Sequence, residues 1–215
     1  MKKHKPSRSV WSVMTIIYRL LMAAGIFVAI IYQLATLHGS GALRPGNFFS
    51  FFTIQSNIIG FVALAWAALA TRQTKRLVMF RGGATLYLAI TGIVYGTLLA
   101  HLPGAATDTS GVWVNNIVHR IAPVVIVVDW FLNPPMIALA FRQALVWLAY
   151  PILWLVYTLI RGNAIDWWPY PFLNPHKPGG WERVTLYCIG ISIVFIGATW
   201  LLTWLTNISS KRVRA

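Results

Sequence analysis

Six uninterrupted apolar runs, at about 10–37, 48–70, 77–101, 113–132, 142–161 and 182–206, govern what this 215-residue chain can become. Each is long enough to carry a helix through a hydrocarbon core, which takes about 20 residues. Backbone N–H and C=O groups inside lipid must find partners within the segment or in a closed barrel, and the alternating strands of about ten residues that a barrel needs are missing from the sequence. The runs are therefore predicted as helices: an all-α polytopic integral membrane protein, one domain over residues 1–215, a bundle of six transmembrane helices joined by short connections and without an internal repeat. Only 10% of the residues are charged and 58% are hydrophobic, against about 25% charged in a soluble domain.

The net charge of +14 acquires meaning once Lys and Arg are sorted by loop. Lys2, Lys3, Lys5 and Arg8 precede the first run; Arg72, Lys75, Arg76 and Arg81 are assigned to the second loop; Arg142 borders the fourth; Lys211, Arg212 and Arg214 close the chain. The opposite loops hold Arg44, then Arg161, Lys177 and Arg183. The positive-inside rule then places both termini in the cytoplasm. The basic clusters are expected to meet anionic head groups, with membrane lipid as the partner and no nucleic acid. "MKKHK" and the run after it read as a retained first span, because the run is long and no small-residue cleavage site follows. Cys188 is the single cysteine. It makes no intramolecular disulfide, no zinc-ligand spacing exists, and neither a metal nor another cofactor is expected.

Polar residues inside the runs are the functional suspects, since an ionisable group near the bilayer centre costs at least about 2.5–3.5 kcal/mol. Arg19, His119, Arg120 and Asp129 are such groups. Arg19 and Asp129 fall in the cytoplasmic half and are predicted to form a structural ion pair, so that Arg19→Leu should be tolerated when Asp129→Leu accompanies it. In "SFFTIQSN" (50–57), Ser50, Thr53 and Asn57 recur at i, i+3 and i+7; Asn115, Asn116 and His119 share a face of the fourth run. At 1.5 Å per residue Thr53 and His119 lie at a common depth, roughly 9 Å inside their respective span ends. Pro123 removes the N–H that would bond the carbonyl of His119 and loosens the helix there.

A hydroxyl beside an imidazole is the minimum for covalent acyl transfer, with Thr53 as nucleophile and His119 as general base. Asn115 or Asn116 would fix the tautomer, Asn57 or Gln55 would donate to the oxyanion, and Arg120 would hold a substrate carboxylate. The segment 162–181 holds Trp168, Tyr170 and Phe172, read either as an interfacial aromatic belt or as a lid over a pocket. Two alternatives stand beside the hydrolase: a non-catalytic lipid-binding or transport protein, and a metal- or haem-binding protein built on His38, His101, His119 and His176 with Asp108, Asp166 and Glu182.

"FFTIQSN" (51–57), "NNIVHRIAP" (115–123) and "WPYPFLNP" (168–175), in that order and spacing, resemble the bacterial branch of the androgen-induced membrane protein family, related to the androgen-dependent regulator of tissue factor pathway inhibitor. The resemblance implies six spans, a place in the bacterial cytoplasmic membrane, and threonine-type hydrolysis of fatty acid esters of hydroxy fatty acids; the positive-inside orientation sets the expected site toward the outer leaflet. It sets Thr53 and His119 at the catalytic positions and an amphiphilic lipid as substrate. Arg120 follows the histidine where animal members carry threonine.

Overall fold

The computed structural model describes residues 10–102 and 111–214. The protein is an all-helical integral membrane protein: six helices are long and apolar enough to cross a bilayer, and no strand occurs among the described residues. The first span is the helix Val10–Gly39. The second is Phe52–Leu69 and the third Lys75–Leu99. Val112–Leu132 and Phe141–Ile165 form the fourth and fifth, and Gly180–Arg214 the sixth. Lys2, Lys3, Lys5, Arg8 and Asp108 lie outside the described residues, as do the side chains of Lys211, Arg212 and Arg214.

The second span starts later than the run of apolar residues predicts. Pro45–Phe48 makes a single turn of its own, and Phe51 is extended (φ −67°, ψ 127°) before the helix begins at Phe52. Asn47 and Ser50 therefore precede the helix, and Thr53 belongs to its first turn. Apolarity could not reveal this break, because phenylalanines flank it on both sides.

Within lipid, helices hold together by close packing and by hydrogen bonds between them, since acyl chains are as apolar as leucine. Spans one to four pack in chain order, and the fifth and sixth close the bundle against the third. Gly60 lets the second and third spans approach, for a Cβ there would stand 2.4 Å from Leu88 Cδ1. Two large apolar clusters result, beside a small one of Ala29, Val114 and Val118. One joins the first four spans through Ile26, Leu64, Leu88 and Ile126; the other joins the third, fifth and sixth through Tyr87, Trp147 and Phe195. Phe52 belongs to the second cluster and Ile54 to the first. Thr53 thus stands on the seam between them.

Asp129 is 1% exposed and binds Arg19, with Nε at 2.7 Å from Oδ1 and NH2 at 3.3 Å from Oδ2. The expected pair is present, but it is part of a larger cluster. Arg81, assigned from sequence to a loop, is 3% exposed inside the third span. Its NH2 lies 2.8 Å from Asp129 Oδ2 and its guanidinium 5.3 Å from the ring centre of Trp130. Tyr18 donates to the same carboxylate. A loop tally of basic residues cannot distinguish a solvated arginine from one whose carboxylate waits on a neighbouring helix.

Candidate active site

Each polar residue of the 50–57 stretch has a partner on another span. Ser50 Oγ donates to Gly46 O and meets Tyr157 OH at 2.9 Å. Gln55 donates to Phe49 O at 2.7 Å and accepts from Tyr150 OH at 2.7 Å. Ser56 Oγ is 2.9 Å from Thr91 Oγ1. The Asn57 amide, fully buried, donates to Thr53 O and to Val118 O, both at 2.9 Å. These residues fasten helices together. Thr53 is the exception.

Thr53 Oγ1 lies 3.2 Å from His119 Nε2 and 3.2 Å from Tyr170 OH. Its backbone N–H donates to the same Tyr170 oxygen at 3.2 Å. This N–H is one of the orphan donors that begin a helix, and the tyrosine oxygen takes it. For Thr53 to donate to Nε2, the imidazole must carry its proton on Nδ1.

His119 is positioned by an irregular backbone. Ile117–Ile121 forms a π turn, with Ala122 N–H reaching back five residues to Ile117 O, directly before the proline that cannot bond the His119 carbonyl. The third span has its own π turn at Tyr95–Leu99. Tyr95 stacks on the His119 ring at 4.3 Å between centres, 21° from parallel. Gly92 permits this crossing: a Cβ there would stand 2.9 Å from Pro123 Cβ. Single π turns concentrate at functional sites, and here two of them carry the rings that face each other.

Two cavities meet at Thr53. The larger, about 490 Å³, is walled by Thr53, His119, Asn115, Tyr95, Arg44 and Tyr170 among others. The smaller, about 150 Å³, runs between the third, fifth and sixth spans past Ile90, Leu155, Ile191 and Phe195. Thr53, Leu99 and Tyr170 line both, whereas His119 lines the larger alone.

The loop between the fifth and sixth spans covers the site. Tyr170 stacks on Phe172 at 5.2 Å, 3° from parallel, and meets Phe51 edge-on. Arg183 NH2 fastens the loop by donating to Pro171 O at 3.1 Å and Asn174 O at 3.0 Å. Trp168 turns away from the cavities and packs on Gly162 and Trp181. Burial pushes the Tyr170 phenol above its ordinary range, partly offset by its bonds with Thr53. It stays protonated and keeps one O–H to donate.

Several expected roles do not survive the geometry. Asn57 spends both amide hydrogens on carbonyls, and Gln55 faces Tyr150, so neither is poised for an oxyanion. Asn115 donates to Tyr95 OH at 2.6 Å, orienting the ring that stacks on His119. Asn116 accepts from the exposed Arg120 at 2.9 Å. Arg120 lines neither cavity; its guanidinium lies 5.6 Å from the ring centre of Tyr95. Among the described residues no three of His, Cys, Asp and Glu gather as metal ligands, and His176 pairs with Asp166 at 3.1 Å. No family model, curated protein or solved structure matches the chain.

Proposed function

We propose that the protein is a membrane-embedded lipid ester hydrolase with Thr53 as nucleophile and His119 as general base. The observation that carries the reading is the 3.2 Å contact between Thr53 Oγ1 and His119 Nε2 in the wall of a cavity walled by both residues. The resemblance to the androgen-induced membrane protein family supports it and suggests a bacterial cytoplasmic membrane, and the orientation expected from the basic loops is in keeping with a site toward the outer leaflet. An amphiphile whose ester lies just below the head groups reaches such a depth without leaving the bilayer.

His119 takes the Thr53 proton as Oγ1 attacks the ester carbonyl. The carbonyl oxygen gathers negative charge beside the start of the second span, where the helix dipole and Tyr170 O–H favour it. The departing alcohol recovers the proton from His119, and water then releases the acyl group from Thr53 by the same sequence. Positioned base catalysis contributes roughly 10²–10⁴-fold.

The detergent-purified protein is expected to hydrolyse long-chain nitrophenyl esters and to bind a fluorophosphonate probe covalently at Thr53. Thr53→Ala and His119→Ala are each expected to lower turnover by at least about 10²-fold. Undiminished turnover in either variant excludes the dyad, and lipid retention without labelling favours a binding protein.

A further inference from the structure

We infer that the two cavities sort the two arms of the ester, the acyl chain entering the smaller apolar cavity and the departing alcohol the larger polar one. The inference rests on the hydrolase reading and adds to it a direction for the substrate.

Proton delivery sets that direction. After attack, the former carbonyl carbon carries Thr53 Oγ1, the oxyanion, the acyl chain and the alcohol oxygen. The bond to the alcohol oxygen breaks, its electron pair stays on that oxygen, and the proton that left Thr53 must return to it from His119 Nε2. The alcohol oxygen therefore has to lie within hydrogen-bond reach of Nε2. His119 lines the larger cavity and not the smaller. With the alcohol arm on that side, the acyl arm is left the smaller cavity, which shares Thr53, Leu99 and Tyr170 with the larger.

The walls agree with this division. Thr91 and Ser192, hydroxyl residues of the smaller cavity, have already given their protons to Tyr87 O at 2.9 Å and Cys188 O at 2.7 Å. What they leave is a hydrocarbon surface. At its outer rim Ile152 and Ile196 are 58% and 48% exposed, so a chain too long for 150 Å³ continues outward between the fifth and sixth spans. The larger cavity offers Gln33, Arg44, Asn47 and Asn115, and Gln33 Oε1 is buried without a hydrogen-bond partner. That side accommodates a polar alcohol.

Two ester series test the assignment: nitrophenyl esters from acetyl to hexadecanoyl, and acetate esters of straight-chain alcohols from ethyl to hexadecyl. Ser192→Phe, which narrows the smaller cavity, is expected to lower the hexadecanoyl-to-acetyl turnover ratio by about tenfold or more, within the range that a few methylenes command in an apolar pocket. Ile191→Ala, which widens the same wall, is expected to raise that ratio. Ala42→Trp, on the larger cavity, is expected to lower the hexadecyl-to-ethyl ratio and to leave the acyl ratio as it was. If the Ser192 and Ile191 variants shift the alcohol series instead, or shift neither, the assignment is overturned. Fluorophosphonate labelling of the wild-type Thr53 reads the hydrolase proposal separately, so a labelled enzyme with unmoved ratios rejects the sorting alone.

Discussion

Tyr170 shows how a residue can be noticed in sequence for one reason and matter for another. Its aromatic neighbours mark it as belt or lid, and it does cover the site. Its oxygen, however, takes the Thr53 N–H and stands 3.2 Å from Thr53 Oγ1. Nothing in the spacing of 53 and 170 announces such a contact, because the loop's path is set by Arg183 and by ring stacking. Since burial raises the phenol's pKa, the donating O–H persists through neutral and mildly alkaline pH and fails only when the tyrosine ionises far above that. Tyr170→Phe keeps the stack on Phe172 and removes the donor. Turnover is expected to fall by about 10²–10³-fold, the effect of losing one oxyanion donor, with KM little changed; steady-state kinetics on a single ester checks it. The Thr53–His119 pair, by contrast, was expected from depth, periodicity and the family resemblance taken together; the contact is present, although the helical rise counted in from Asn47 does not hold, because the second span begins only at Phe52.

At the scale of elements, the legible part of each span was its apolar length, and the hidden part was its local winding. The π turns at Tyr95–Leu99 and Ile117–Ile121 carry the Tyr95 and His119 rings that stack on each other, while Asn116 and the exposed Arg120 bond to each other. Pro123 signalled a loosened helix without signalling its phase. The lid likewise depends on how one helix end meets a loop. Gly162, near the end of the fifth span, has Trp168 lying on it, and a Cβ there would come 2.5 Å from the indole. Gly162→Ala is therefore expected to push Trp168 and the segment that carries Tyr170. Overpacking of this kind costs about 1–3 kcal/mol, and a shift of 1 Å near reacting groups costs up to about 10²-fold in rate. The expected signature is a modest fall in melting temperature with a much larger fall in turnover, read by thermal unfolding and ester kinetics on the same preparation.

The whole molecule separates chemistry from anchoring charge. Along the fourth span, Asp129 follows His119 by ten positions, roughly 15 Å of helix; the reactive pair sits toward one end of the bundle and the ionic cluster toward the other. That cluster holds two guanidiniums on one carboxylate, a net positive charge in a buried place, and this reverses the expectation drawn from Arg19 and Asp129 alone. Removing Asp129 leaves Arg19 and Arg81 facing each other without an anion, and deleting one partner of a buried ion pair costs about 3–5 kcal/mol. Removing Arg19 instead leaves a matched pair, Arg81 with Asp129 at 2.8 Å. The double replacement strands Arg81 with Asn133 O, 3.4 Å away, as its one remaining acceptor in the cluster. The expected order of thermal stability in detergent is Arg19→Leu above the Arg19→Leu/Asp129→Leu double variant, and the double variant above Asp129→Leu. A triple variant that also carries Arg81→Leu is expected to regain stability over the double, because it removes the guanidinium that the double leaves without its carboxylate. A double variant as stable as Arg19→Leu alone would mean that Arg81 draws nothing from Asp129.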